Sequence, residues 1–333
     1  MFSDAITHPT DTPVSTHALA EAATIGGYAP SICNTQPWRW RLTADTLELC
    51  LASERIMRVT DPEARLATLS CGAALHHAHV ALRAQGWDAT VTRLPRDGAT
   101  AVLARIRVGG RAPADPAAVE YLRTIPSRHT DRRPVTGSPV DAADLAAVTA
   151  AVQAQGTRLH TLRPDQILEL AAAVDHAQRS EAGDPAWQAE LAVWAGGTRP
   201  SGSGVPDAAI PNRATQTTVP GRDFGHYGDL PVSAAHDESA VFVTLYGPGD
   251  DPIDWLRAGE ALSAGWLTAT MRGAAVLPYS APIEVIASRQ AIRAMISSVG
   301  YPHLLLRLGR TDPAADPAPH APRLHAEQTI DRA

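Results

Sequence analysis

Lysine does not occur in this chain: all 29 basic residues among its 333 are arginine. That absence removes the Walker phosphate loop, Schiff-base catalysis and any lysine general base. A phosphate bound here has to be held by arginine forks, hydroxyls and backbone amides. Cysteine is scarce, and Cys33, Cys50 and Cys71 form no Cys-x-x-Cys pair. An odd count without metal spacing argues against a disulfide framework and a zinc site, and makes a reducing cytoplasm the expected location. No apolar run approaches the roughly 18 residues of a membrane span, and the polar start (Met1 to Thr16) lacks the pattern of a signal peptide. The net charge of -6 leaves no basic footprint for nucleic acid or anionic lipid. No Gly-x-Ser-x-Gly elbow and no His-Glu-x-x-His occurs.

What is present is a globular composition, 44% hydrophobic and 19% charged, with a length that suits about two domains. A helix is expected from Ser15 or Thr16 up to Gly26-Gly27, an achiral pair past a helix end. Strand patterns cover Trp38 to Leu42 and Leu47 to Leu51, with a turn at Ala44-Asp45. An alanine-rich helix over Arg65 to Gln85 leads to strands at Ala89 to Leu94 and Ala101 to Val108. Gly109-Gly110, Pro113 and Pro116 mark a boundary. Beyond it, helices are expected over Pro116 to Thr124, Ala142 to Gln155, Gln166 to Arg179, Ile253 to Gly273 and Arg289 to Ser297. Strands are expected over Arg158 to Leu162, Ala240 to Tyr246, Ile283 to Ala287 and His303 to Leu308. Gly196 to Leu230 is rich in Gly, Pro, Ser, Thr and Asn, too long for an ordinary connection, and reads as a lid, a binding loop or disorder. Each half carries a long helix just after an Asp-Pro step, Asp61-Pro62 and Asp251-Pro252. We read an internally duplicated α+β fold, with residues 1–112 as one half and 113–333 as the other.

Two segments carry the chemistry. The first is Ala29-Pro30-Ser31-Ile32-Cys33-Asn34-Thr35-Gln36-Pro37-Trp38-Arg39-Trp40. It offers a backbone stiffened by two prolines, a hydroxyl and two amides that both donate and accept. Residue by residue it reads equally well as an Asx/Pro turn ahead of a strand with Trp38 and Trp40 in the core. The second is Ser127-Arg128-His129-Thr130-Asp131-Arg132-Arg133. Arginine forks flanking a hydroxyl ahead of a helix suit a phosphate. A solvated basic linker is the plain alternative.

As whole strings, the two segments resemble the flavin-contact motif and the Arg-x-Ser-x-Arg phosphate clamp of the nitroreductase family. That resemblance implies FMN as cofactor, contacted by Pro30, Ser31, Asn34 and Gln36, with Arg128, His129, Thr130 and Arg132 at its phosphate. Ala321-Pro322-Arg323 resembles the family's C-terminal basic position, with Arg310 as rival to Arg323. The order departs from the usual one: the clamp follows the Ala-Pro-Ser motif by about a hundred residues, and no arginine precedes Arg39. Each half therefore brings one part of a site. The arrangement is similar to the Acg-like NAD(P)H nitroreductases of actinobacteria, and likeness extends to Asp61-Pro62-Glu63-Ala64-Arg65, Ser70 to Leu75 and Pro302 to Arg310. It implies a nitroreductase-like fold whose two halves are fused into an intramolecular pseudo-dimer, with central antiparallel sheets flanked by helices.

The implied activity is two-electron transfer from NADH or NADPH through flavin to a nitroaromatic, a quinone or a specialised metabolite. The reaction is centred on flavin N5, with no catalytic side chain and no metal expected. The alternative is an FMN-sequestering protein in which Gly196 to Leu230 closes over the ring. The expected partner is a small-molecule acceptor, with no nucleic acid or membrane, and the chain is expected as a monomer or homodimer. His76, His77 and His79 have no Glu or Cys at metal spacing and read as helical core histidines. Cys71 reads as a small core residue. Gly202-Ser203-Gly204 follows no strand and is no dinucleotide fingerprint. Trp255 and Trp266 fit a buried helix face, and Trp266 is also placed to line a flavin pocket.

Overall fold

The chain folds from residue 14 onward as a helix, α1 (Val14–Gly26), that ends at the glycine pair and leads into a hairpin, β1 (Trp38–Leu42) and β2 (Thr46–Leu51). The computed structural model describes residues 14–96, 102–196, 202–311 and 317–332. The expected strand start at Ala101, the start of the chain up to residue 13, and residues 197–201 of the expected loop lie outside the described residues. Next come α2 (Arg65–Ala84), β3 (Trp87–Arg93) and β4 (Val102–Arg111), which close the first sheet. Asp61 starts α2 by accepting a 2.8 Å hydrogen bond from the Ala67 amide, which satisfies one of the helix's free first-turn donors.

The second part holds α3 (Pro116–Thr124), α4 (Ala142–Gln153), β5 (Arg158–Thr161), α5 (Pro164–Ala182), α6 (Pro185–Trp194), β6 (Val241–Gly247), α7 (Pro252–Met271), β7 (Ala275–Tyr279), α8 (Ala281–Glu284), α9 (Ile286–Met295) and β8 (Tyr301–Gly309). A short turn of helix, α10 (Ala326–Thr329), and a last strand, β9 (Ile330–Arg332), end it. One sheet has the order β3-β4-β2-β1-β9 and the other β5-β6-β8-β7. All pairings are antiparallel except β1 with β9.

Helices α2 and α7 are apolar around most of their circumference and lie buried against each other between the two sheets, as helices without a polar face must. Their contact is made by glycine on both sides. A Cβ on Gly72 would stand 2.0 Å from the Leu256 carbonyl oxygen, and one on Gly259 would stand 1.8 Å from that of Leu69. Each helix also reaches into the other half's core: Leu256 joins Trp38, Trp40 and Leu75, while Leu66 and Leu69 join Leu262, Trp266 and Leu304. Ion pairs tie the same seam, with Arg93 bidentate on Glu260 at 2.7 and 2.8 Å and Arg65 on Asp250.

Some elements differ from expectation, among them the unexpected helix α6. Ile283 to Ala287 is not a strand: Pro282 sits in the first turn of α8, and the β-branched run continues as α9. The strand lies earlier, at β7, where Pro278 demotes the pattern; β7 is an edge strand, which tolerates the missing amide donor. The chain's end, expected with the second half, crosses back so that β9 pairs with β1 of the first. Three residues of parallel pairing leave no sequence signal of their own.

Candidate functional site

Between the halves lies a cavity of about 550 Å³, within the range of small-molecule and cofactor sites. Of the nine residues singled out from the sequence, eight line it and Gln36 does not.

The Ala-Pro-Ser segment forms one wall. Three of its residues hold left-handed backbone, Cys33 at φ 42°, Asn34 at φ 54° and Gln36 at φ 52°. Each such residue costs roughly 1–2 kcal/mol when it is not glycine. The Ser31 hydroxyl accepts from the Gln36 amide at 3.0 Å and the Ser70 hydroxyl accepts from the Ile32 amide at 3.2 Å, which holds the shape. Strain concentrated at a cavity wall is the pattern of a functional loop.

Gln36 is fully buried, and its amide is committed to the protein itself: Nε2 donates to the Gly202 carbonyl and Oε1 accepts from the Leu324 amide, each at 2.9 Å. Gln36, expected at the cofactor, does not line the cavity. Asn34 borders the cavity, but its Nδ2 donates to the Gly204 and Pro322 carbonyls and its Oδ1 accepts from Arg323, all at 3.0 Å. Both amides thus clamp the chain's C-terminal tail and the segment around Gly202 onto the first half.

The arginines of the second segment separate. Asp131 takes Arg133 as a close ion pair at 2.6 Å, which leaves Arg128 and Arg132 without a carboxylate among the described residues. Arg128 is buried, stacks on Trp266 at 4.6 Å and donates to the Tyr28 carbonyl at 3.3 Å. Arg323 comes in from the tail and donates to the same carbonyl at 3.2 Å. The Nε atoms of both are buried with no partner. Burial pulls the Arg128 guanidinium down to about 9, with the charge of Arg323 adding to the effect, and pulls Arg323 to about 10. Both remain cations at neutral pH, and a nearby anion would relieve both costs. His129 lines the cavity beside them, edge-on to His320 at 5.3 Å, and Thr130 follows, bridged to Val276 of β7.

Arg132 stands elsewhere on the cavity wall, over the Phe224 ring at 5.3 Å, donating to the Ala209 carbonyl. Burial lowers it to about 10, and the charges around it are those of Arg222 and Asp131. Arg128 and Arg132, expected together at one clamp, thus stand apart on the cavity wall, Arg128 beside Arg323 and Arg132 over Phe224. Arg310 is engaged away from the cavity by Pro139 and Asp144, so Arg323 is the tail arginine at the site.

The long loop is ordered where described. Gly204 and Asn34 are joined by a 3.1 Å backbone bond, and Gln178 donates to the Gly221 carbonyl at 2.7 Å. Val205, Ile210 and Phe224 pack with Trp187 and Leu191 of α6 into a small core of their own. This segment forms a wall of the cavity. Arg222, its ion-pair partner Glu284 and the buried Glu181 were not singled out from the sequence. Isolated residues in a loop and at two helix ends carry no motif.

Of the other histidines, His76 Nδ1 lies 2.8 Å from the Ser263 hydroxyl, and His77 is fully buried behind Arg128. No helix among the described residues is long and apolar enough to cross a membrane.

No family model matches the chain. It is 38% identical over 311 residues to the Mycobacterium tuberculosis H37Rv protein named "Putative NAD(P)H nitroreductase Rv3131", covering 92% of this chain and 89% of that one. It is 34% identical over 319 residues to "Putative NAD(P)H nitroreductase acg" of the same strain, covering 94% and 95%. Among solved structures, the FMN and NADPH-dependent nitroreductase NfnB from sphigopyxis sp. strain HMH superposes with a TM-score of 0.40 at 16% identity, over 63% of this chain and 97% of that one. Likeness to the two mycobacterial proteins along almost the whole length makes this chain a member of the Acg-type NAD(P)H nitroreductase family.

Proposed function

We propose that the cavity binds one FMN per chain and that the protein is an NAD(P)H-dependent oxidoreductase acting on a small acceptor. The observation that carries this reading is the pair Arg128, buried, and Arg323, half-buried, which have no carboxylate partner among the described residues and border the same cavity. Charge-assisted donors in that setting suit a phosphate, with His129 and Thr130 next to it. Leu69, Leu262 and Trp266 offer an apolar surface to a planar ring. Pro30, Ser31 and the backbone around Asn34 border it from the first half, while Gln36 and Asn34 hold the tail that carries Arg323.

Bound there, FMN supplies two-electron chemistry. The chain's own residues orient it, exclude water and set its potential. Arg132 places positive charge where a ring that becomes anionic on reduction would be favoured. The relatives' printed names supply NAD(P)H as reductant and a nitro compound as one acceptor class; quinones and specialised metabolites of similar size suit the same pocket. The two halves, 1–112 and 113–333, would each bring part of a single site, in a cytoplasmic monomer or homodimer.

The test is to mix the yellow protein anaerobically with NADH or NADPH and follow the flavin absorbance. Bleaching within seconds is expected. No bleaching, with dithionite still effective, would favour the second reading, a flavin-sequestering protein. One observation supports that reading: the segment from Gly202 to Leu230 is bonded to both halves and forms part of the cavity wall.

A further inference from the structure

The tail brings a second basic side chain to the place that Arg323 reaches. His320 stands three residues before Arg323, in a stretch stiffened by Pro317, Pro319 and Pro322 and anchored by the buried Ala318. Both His320 and Arg323 line the cavity, as do Arg128 and His129 of the second half. The His320 ring meets the His129 ring edge-on, with centroids 5.3 Å apart and planes at 70°. Arg128 and Arg323 meet on the Tyr28 carbonyl, at 3.3 and 3.2 Å. Two guanidinium groups and two imidazoles from distant parts of the chain thus border one region of the cavity. None of the four pairs with a carboxylate among the described residues.

The two imidazoles are not equivalent. His129 Nδ1 lies 2.9 Å from the Ser127 carbonyl oxygen. A carbonyl only accepts, so Nδ1 carries the hydrogen and this ring is held in one tautomer. His320 is exposed and makes no hydrogen bond among the described residues, so both of its nitrogens are available to a ligand. Desolvation, and then the charges of His129, Arg128 and Arg323, hold the His320 imidazole below its usual range. With no anion beside it, the ring is neutral at pH 7. Two more groups face the arginines rather than His320: Tyr28 lies against Arg323, and His77, which burial keeps neutral, lies behind Arg128.

We propose that His320 is a further contact of the FMN phosphate and that it takes up one proton when the phosphate binds. The proposal rests on the FMN reading above. Above about pH 7 a phosphate ester is mostly a dianion, because its second proton leaves near 6. A dianion beside His320 reverses the local field. The imidazolium, disfavoured next to two guanidinium groups, becomes the favoured form. The proton comes from bulk water and returns to it when the nucleotide leaves. Binding therefore raises a proton affinity that is low in the free protein. In the interval between the free and bound values, FMN affinity falls as pH rises. Arg128 titrates only near 9 and Arg323 near 10, so both stay cationic from about pH 6.5 to 8, where the histidine changes.

The experiment titrates cofactor-free protein with FMN and with riboflavin from about pH 6.5 to 8 at constant ionic strength. The heat of FMN binding is also measured in two buffers of unlike ionisation enthalpy, which counts the protons taken up. For the wild type the FMN dissociation constant is expected to rise about tenfold across that range, with proton uptake approaching one per FMN. Riboflavin, which lacks the phosphate, should show no such slope. His320→Gln should bind FMN with the weaker, high-pH affinity throughout and take up no proton. His129→Gln should bind more weakly but keep the slope. The riboflavin and calorimetric arms need no variant, and His320 is exposed, so its replacement leaves the core intact. The same slope with riboflavin or in His320→Gln, or FMN binding without proton uptake, overturns the proposal. A protein that takes up no FMN at any pH would instead sink the flavin reading itself, and this proposal with it.

Discussion

Gly72 of α2 and Gly259 of α7 face each other at the crossing of the two central helices, each the eighth residue of a helix of 20. A Cβ on Gly259 would lie 2.8 Å from the Gly72 Cα, and one on Gly72 would lie 3.0 Å from the Gly259 Cα. The relationship is reciprocal, as an interface between two related halves requires. The blocking atoms are backbone, which cannot rotate away. Gly72→Ala or Gly259→Ala is therefore expected to lower stability by about 1–3 kcal/mol or more. Gly110→Ala, where a Cβ meets nothing within 4 Å, is the control and should leave the unfolding midpoint unchanged. Thermal or urea unfolding of the three variants checks this.

The division of the arginines predicts unequal effects. Arg128→Ala and Arg323→Ala should each weaken FMN binding by about 100-fold, since each removes a charge-assisted donor from the phosphate region. Arg132→Ala should weaken binding less and move the flavin potential to more negative values, because a positive charge near the reduced ring is lost. Fluorescence titration and a redox titration separate the two. Equal losses of affinity at all three positions would mean that one clamp exists after all.

Gln36 does not line the cavity, yet Gln36→Leu should lower FMN affinity by about tenfold. The substitution deprives the Leu324 amide and the Gly202 carbonyl of their partners, and each lost bond to a buried group costs about 1–3 kcal/mol. The tail bearing Arg323 should then be cut faster by protease. Unchanged affinity with unchanged tail protection would contradict the tether.

His303 is 1% exposed, neither ring nitrogen has a partner among the described residues, and burial lowers it to about 4 from the usual 6.5. The folded protein resists a proton that the unfolded chain accepts. The stability held by neutral His303 is present above about 6.5 and is lost as pH falls through about 4. Against His303→Gln, the wild type should lose about 3 kcal/mol of relative stability between pH 7 and pH 4. Urea midpoints at the two pH values measure it, and a constant gap would show that His303 is solvated.

Much of the site was legible because its chemistry is local in sequence. Pro30 to Asn34 and Arg128 to Arg132 carry their donors within a few residues of one another, and all of the selected positions but Gln36 border one cavity. What was not legible depends on distance. Gln36 turns away from the cavity because its partners, Gly202 and Leu324, come from 166 and 288 residues along the chain. Arg132 leaves Arg128 because Asp131 takes Arg133 and because Phe224 offers its ring. Ile283, Val285 and Ile286 look like a strand by side chain alone, but Pro282 in a first helical turn decides otherwise. The Arg222–Glu284 pair joins a loop to a helix end 62 residues away, with no spacing to announce it.

The central claim is that two distant segments and the tail build one flavin nucleotide site per chain. Titrating cofactor-free protein with FMN tests it most directly. Saturation at one FMN per chain is expected, with loss of that binding when Arg128 and Arg323 are both replaced by alanine. Two FMN per chain, none, or undiminished binding in the double variant would contradict it.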